Sequence, residues 1–358
     1  MSKALDSRQS TLINAMRFPL IVLVLFAHSL GFETKGFESG KVSWNIYYFI
    51  SEMISHNFAQ ICVCGFYLFS GYLFFSNLRD GEFGISWVAN KWKKRVRSLV
   101  IPYIIWNLVP IIATVIKNLV FIWLGLGDDG GMAYVRQLDV AYWLWYGPAN
   151  FPLYFMRDLI LMSILAPLWY MLTKSFKWLS LFLLTICYLS PLSPHLIGMR
   201  AVFFFGAGAW MGICRVNMLQ LCRSIKWPAA VFAVITLLVA TYYNSSPYHE
   251  WLLRAFYPFG MTTFMNICDK LIDNENRCNR MCNLASAVFI IYATHEIYIL
   301  GWTKGLFLRV FGDGLLGSWI SYLFVPVVVL IICLCIYWLL NRFMPKTLAF
   351  VSGGRVDK

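Results

Sequence analysis

The sequence predicts an all-α protein: a polytopic membrane helix bundle of about ten transmembrane helices, with both termini cytoplasmic. Three observations carry that reading. The chain is 59% hydrophobic and only 13% charged, where a soluble domain is roughly half apolar and a quarter charged. Apolar runs long enough to cross about 30 Å of hydrocarbon recur with polar breaks between them. The Lys and Arg residues crowd onto alternate breaks, as the positive-inside rule requires.

Ten spans follow in order: Thr11–Phe32, Phe58–Asn77, Ser98–Leu124, Phe151–Leu172, Trp178–Leu192, Arg200–Cys214, Trp227–Tyr243, Glu250–Cys268, Leu284–Leu300 and Ser318–Leu340. They form one domain over residues 1–358, with spans over about 11–340 and short tails at 1–10 and 341–358. The aromatic segments Trp44–Ile54 and Val140–Tyr146 are expected to lie along the outer interface. With the N-terminus inside, twenty Lys and Arg fall on inner segments, and only Lys35, Lys41, Arg136, Lys304 and Arg309 on outer ones. The net charge of +13 is therefore mostly topology, and no soluble domain is present to bind nucleic acid. No small-residue cleavage site follows the first segment, so it reads as a retained span. No cysteine falls on an outer segment, which argues against a disulfide framework. Cys278-x3-Cys282 lacks a second ligand pair, so no metal site is expected.

The first span is bracketed by Arg17 and His28, with ten residues lacking polar side chains between them. Eleven helical steps turn through about 1100°, so both side chains share one face, about 16 Å apart along the axis. A face with two ionisable groups should turn away from lipid. Arg157, Asp158, Arg200, Arg254, His295 and Glu296 fall at the same outer depth as His28. Arg200 and Arg254 are each open to a plain reading as snorkelling or helix-bonding residues. Arg157 and Asp158 point about 100° apart and cannot both face lipid cheaply. Taken together, the set implies a polar, outward-opening cavity. On the inner side, Arg79, Lys91, Lys93, Lys94, Arg95 and Arg97 crowd one loop, which suits either ordinary inner-face charge or a polyphosphate ligand. Ser70 and Gly71 are small enough to serve close helix packing alone. No Gly-x-Ser-x-Gly elbow, phosphate-binding glycine loop or His-Glu-x-x-His is present. His28 is the strongest candidate base in the spans, with His295 second.

Five stretches in order resemble the integral-membrane acyltransferase family 3, which includes bacterial O-acetyltransferases of surface polysaccharides. They are Arg17-x10-His28, Phe69-Ser70-Gly71-Tyr72-Leu73, the basic run Lys94-Arg95-Val96-Arg97 leading to Pro102, Pro152-Leu-Tyr-Phe-Met-Arg157-Asp158, and Tyr292-Ala-Thr-His295. Lys94-x-x-Arg97 stands where the family often has Arg-x-x-Arg, keeping the charge and losing one bidentate fork. The resemblance implies a multi-pass protein of the bacterial cytoplasmic membrane. It implies acetyl-coenzyme A or another acyl-coenzyme A as donor substrate, no tightly bound cofactor, and the hydroxyl of a glycan or lipid-linked sugar as acceptor. On that footing the coenzyme phosphates would meet Arg79, Lys91, Lys94, Arg95 and Arg97, with Arg17 deeper. His28 would act as general base or as an acylated intermediate, Asp158 or Glu296 would orient its imidazole, and Arg157 would stabilise the oxyanion. Ser70, Gly71, His295, Glu296, Arg200 and Arg254 would line the substrate path. The competing function is a transporter or flippase for a lipid-linked sugar or small anion, against which no pair of related halves is visible.

Overall fold

The computed structural model describes residues 7–30, 42–127, 130–137, 139, 142–191 and 197–354. The expected outer-side Lys35 and Lys41, the span ends at Phe32 and Leu192, Val140 of the second interfacial segment, and the tail residues Lys3, Arg355 and Lys358 lie outside them. Every regular element among the described residues is helical.

Among the described residues, four helices are long and apolar enough to cross a bilayer: α1 (Ser7–Ala27), α2 (Ser43–Phe75), α3 (Ile85–Trp123) and α13 (Leu315–Phe343). Three bent pairs bring that number to as many as seven: α4 (Phe151–Ile164) with α5 (Ala166–Phe176), α7 (Met199–Ile213) with α8 (Met218–Ser224), and α11 (Glu275–Leu284) with α12 (Val288–Phe311). Pro167, just inside α5, cannot donate the hydrogen bond that would continue α4, and the pair bends by 57°. Two shorter apolar helices, α6 (Trp178–Leu189) and α9 (Lys226–Tyr242), and the 23-residue α10 (His249–Leu271) fill the rest of the bundle. The chain closes with α14 (Pro345–Val351). This is a multi-pass membrane protein.

Two expected boundaries move. Trp44–Ile54 is the first third of α2 and continuous with the span expected to begin at Phe58. The polar residues between Ile54 and Phe58 bond inside the bundle: Ser55 shares a hydrogen bond with Tyr322 at 3.0 Å, and the Asn57 side-chain NH2 donates to Thr241 at 2.9 Å. The basic run before Pro102 is likewise the start of α3, held by the buried Trp87 and Val88.

The core is organised around α1, whose Leu12, Ala15, Met16, Leu20, Ile21 and Leu25 are fully buried. It packs against α2, α10, α11, α12 and α13. Its N-terminal end is tied down by Asp269 on α10, which accepts from Arg8 at 2.7 Å and from Arg223 of α8 at 2.7 Å. Apolar burial gives little net attraction between helices in lipid, so close backbone packing must supply it. The α2–α7 pair shows how. A Cβ on Gly71 would sit 2.1 Å from the Phe205 carbonyl oxygen, and one on Gly208 would sit 2.1 Å from that of Leu68. Gly208 and Gly212 on α7 have the four-residue spacing that lets two helix backbones touch.

Candidate active site

α1 carries His28 to the site. The helical bonding runs one residue past Ala27, since the His28 amide donates to the Val24 carbonyl at 3.2 Å. The imidazole Nδ1 lies 3.0 Å from Glu296 Oε1, and both side chains are about a quarter exposed. The fully buried His295 ring lies 5.4 Å from that of His28, and Phe151 meets His28 edge-on at 6.3 Å. The imidazole is turned into the bundle, toward α12 and the start of α4.

α12 supplies its partners at a break. Its first segment runs Val288–Thr294; a wide turn then covers His295–Ile299, and regular helix resumes at Leu300. Within the turn Ile297 has ψ 85°, and Tyr298 holds φ 61°, unusual for a bulky residue and a source of backbone strain. Neighbours hold the strained residue. The Tyr298 hydroxyl bonds Thr114 of α3 at 2.6 Å, and the Lys117 ammonium lies 5.3 Å from its ring centre. Upstream, the Asn150 amide donates to the Ala293 carbonyl at 2.9 Å, locking α12 to the loop before α4. Downstream, Lys304 donates to the carbonyls of His28 at 2.5 Å and Leu30 at 2.9 Å, capping α1 with a cation at its negative end.

Halfway along α1, a cavity of about 240 Å³ holds Arg17, Ser70 and Arg95 among mostly apolar walls. Arg95 donates to the Ser70 carbonyl at 3.3 Å and lies over the Phe74 ring. Toward His28 the lining ends at Phe155 and Tyr292. The Tyr292 hydroxyl donates to the Pro152 carbonyl at 2.5 Å, and its ring centre lies 6.5 Å from that of His295. A second cavity of about 370 Å³, lined by Ser10, Asn14 and Cys282, shares Arg17 with the first. Arg17 thus stands between two cavities, one of which reaches to within a helical turn of His295.

The remaining expected site residues separate. Of the two carboxylates considered for orienting His28, the one beside it is Glu296. Asp158 is buried and spoken for elsewhere: Arg157 pairs with its Oδ1 at 2.8 Å and the Tyr67 hydroxyl donates to its Oδ2 at 3.1 Å. Arg157 also donates to the Trp145 carbonyl at 2.8 Å, so the pair knits α4 to α2 and to the turn before it. Arg200 donates to Gln60 at 2.9 Å and lies over the Tyr257 ring, whereas Arg254 donates to the carbonyls of Tyr188 and Ser190 and pairs with Glu250. The expected single cationic mouth is divided. Residues four apart share a helix face. Lys91 and Arg95 therefore turn inward, Lys91 over the rings of Phe74 and Trp87. Lys93 and Arg97 open onto a separate groove beside Lys346. Lys94 and Arg79 are exposed. Lys304, Tyr67 and Tyr298 escaped sequence reasoning. Lys304 alone left a signal, eight residues beyond Glu296 and so about 80° round an unbroken helix.

Comparison with known proteins agrees with the motifs. The acyltransferase domain model of acyltransferase family 3 matches residues 11–338. A curated relative, the succinoglycan biosynthesis protein ExoH of Rhizobium meliloti (strain 1021), is 28% identical over 368 residues, covering 98% of this chain and 94% of that protein. No solved structure matches. The chain belongs to acyltransferase family 3, and it is an acyltransferase.

Proposed function

We propose that this protein moves an acyl group, acetyl in the simplest case, from cytoplasmic acyl-coenzyme A to a hydroxyl of a surface polysaccharide or its lipid-linked precursor. The observation that carries the reading is the pairing of His28 with Glu296 at the end of α1, with Arg17 and Arg95 in a cavity against its middle. Ten crossings with both termini inside would place the two arginines toward the cytoplasm and His28 toward the outer face. The 28% identity to a succinoglycan biosynthesis protein supports a polysaccharide acceptor.

Glu296 accepts from His28 Nδ1–H, which leaves the Nε2 lone pair for the substrate. His28 Nε2 takes the proton of the acceptor hydroxyl while its oxygen attacks the thioester carbonyl. The tetrahedral adduct collapses with breakage of the carbon–sulfur bond, and the departing thiolate recovers the proton from the imidazolium. Glu296 stabilises that imidazolium as a carboxylate does behind other catalytic histidines. Arg17 and Arg95 supply the charge that phosphates need, and the apolar walls between Phe66 and Phe289 suit an extended pantetheine arm.

The test is transfer of label from acetyl-coenzyme A to polysaccharide by the purified protein in proteoliposomes. Label should appear in the glycan with release of free coenzyme A, and His28→Ala should abolish it in a protein that remains monodisperse. Full activity in that variant, or movement of unmodified glycan without label transfer, would reject the proposal.

A further inference from the structure

The site holds one polar atom that acyl transfer does not use. His295 is fully buried, and its Nδ1 lies 2.9 Å from the Tyr292 carbonyl and 3.1 Å from that of Ile291. Carbonyls only accept, so Nδ1 carries the hydrogen and Nε2 is a bare lone pair. That Nε2 is buried without a hydrogen-bond partner. Leaving a buried polar atom unsatisfied is costly, so a ligand that engages it gains accordingly. Its surroundings are those of a metal ligand. A coordinating histidine typically gives its other ring N–H to a carbonyl or carboxylate, which fixes the tautomer and aims the lone pair.

Two more ligands stand beside it. One ligand atom each from His28, His295 and Glu296 lies within 4.8 Å of the others, and no other such group of three occurs among the described residues. Around a tetrahedral ion with bonds of about 2.0–2.1 Å, ligand atoms stand roughly 3.4 Å apart. His28 and Glu296 already lie 3.0 Å apart, and the other separations, at most 4.8 Å, need to shrink by no more than about 1.4 Å to close the triad. Two imidazoles and one carboxylate suit Zn²⁺ and its transition-metal neighbours, whereas Mg²⁺ and Ca²⁺ favour sites built wholly of oxygen. His28 and Glu296 keep partial exposure, which leaves the fourth position to water.

We infer that His28, His295 and Glu296 form a site for a divalent transition-metal ion of the zinc type, and that its occupancy switches the enzyme off. The binding half of this stands on geometry alone; the switching half rests on the proposed role of His28 as base. Coordination defeats that base by either nitrogen. If Nε2 binds the ion, the lone pair that would take the hydroxyl proton is engaged. If Nδ1 binds it, its hydrogen moves to Nε2, which can then only donate. Glu296 is drawn away from the imidazole in both cases.

The experiment uses full-length protein in detergent, stripped with chelator and titrated with ZnCl₂ by calorimetry, with zinc-edge X-ray absorption on the loaded sample. We expect about one equivalent bound, an inner shell of nitrogen and oxygen near 2.0–2.1 Å, and a Kd weakened at least tenfold in each of His295→Ala, His295→Gln and Glu296→Ala. Saturable binding that survives those substitutions would overturn the site. So would a sulfur shell near 2.3 Å, which would place the ion at Cys278 and Cys282. If the variants fail to fold, the wild-type absorption spectrum alone decides between these outcomes. Added zinc should suppress acyl transfer by at least tenfold at saturation, and chelator should restore it. Undiminished transfer at full occupancy would overturn the switch. A nitrogen and oxygen shell in a protein that transfers no acyl group under any condition would uphold the site and refute the proposed function instead.

Discussion

Replacing Glu296 by Gln is the sharpest test of how the proposed base is held. The substitution preserves volume and removes one charge at a distance of 3.0 Å from His28 Nδ1. A hydrogen bond to a charged partner contributes about 1.5–3 kcal/mol, and this one strengthens when the imidazole takes the substrate proton. At 1.36 kcal/mol per tenfold, losing it costs about 10- to 150-fold in turnover. The side chain is about a quarter exposed, so the lower half of that range is the better expectation. Glu296 does not line the cavity that holds Arg17 and Arg95, so KM for the acyl donor should stay within about twofold. Initial rates of label transfer from acetyl-coenzyme A in proteoliposomes give both constants. Wild-type turnover in Glu296→Gln would remove Glu296 from the mechanism. A comparable kcat loss in a well-folded Asp158→Asn protein would restore the carboxylate on α4 to that role.

Other substitutions separate structure from chemistry. Asp158→Asn should cost about 3 kcal/mol of stability, read as a lower thermal midpoint, because it leaves Arg157 partly buried without its charge partner. Gly71→Ala must push α7 away by roughly 1 Å to relieve its clash with the Phe205 carbonyl, and should destabilise by about 1–3 kcal/mol, measured the same way; an unchanged midpoint would refute the close α2–α7 contact. Arg95→Ala should raise KM for acyl-coenzyme A about tenfold, whereas Lys94→Ala on the exposed face should stay within twofold; equal effects in donor-saturation curves would argue against the division of the basic run. Lys304→Met removes both hydrogen bonds that cap α1, and should lower kcat several-fold with little change in donor KM.

Where sequence reading succeeded, the signal was local and periodic. Arg17 and His28 share a face of α1 because helix geometry allows little else, and the apolar runs mark the bundle because lipid tolerates few alternatives. Where it failed, distant neighbours decided. Ser55 and Asn57 fall in the gap expected between Ile54 and Phe58, but Tyr322 and Thr241, far along the chain, bond to them within a continuous helix. The basic run looked like one mouth because a loop has no face; once it is a helix, Arg95 and Arg97 open onto different cavities. The choice between Asp158 and Glu296 as the partner of His28 was equally invisible, since it depends on Tyr67 and Arg157 taking up the first.

The break in α12 is where these strands meet. Nothing in Ile297-Tyr298-Ile299 favours a positive φ, and holding Tyr298 there costs of order 1–3 kcal/mol. Thr114 and Lys117 on α3 hold its side chain from outside, so the conformation belongs to the assembled bundle and not to the segment. Non-helical backbone at membrane depth is tolerated only where protein buries it or water lines it. Here it directly follows the two residues that flank the imidazole, and Lys304 beyond it reaches back to the end of α1. One strained turn thus lets a single helix face His28 with a carboxylate, a second imidazole and a cationic cap. Strain held from α3 immediately beyond Glu296 is better read as part of the site than as an accident of packing.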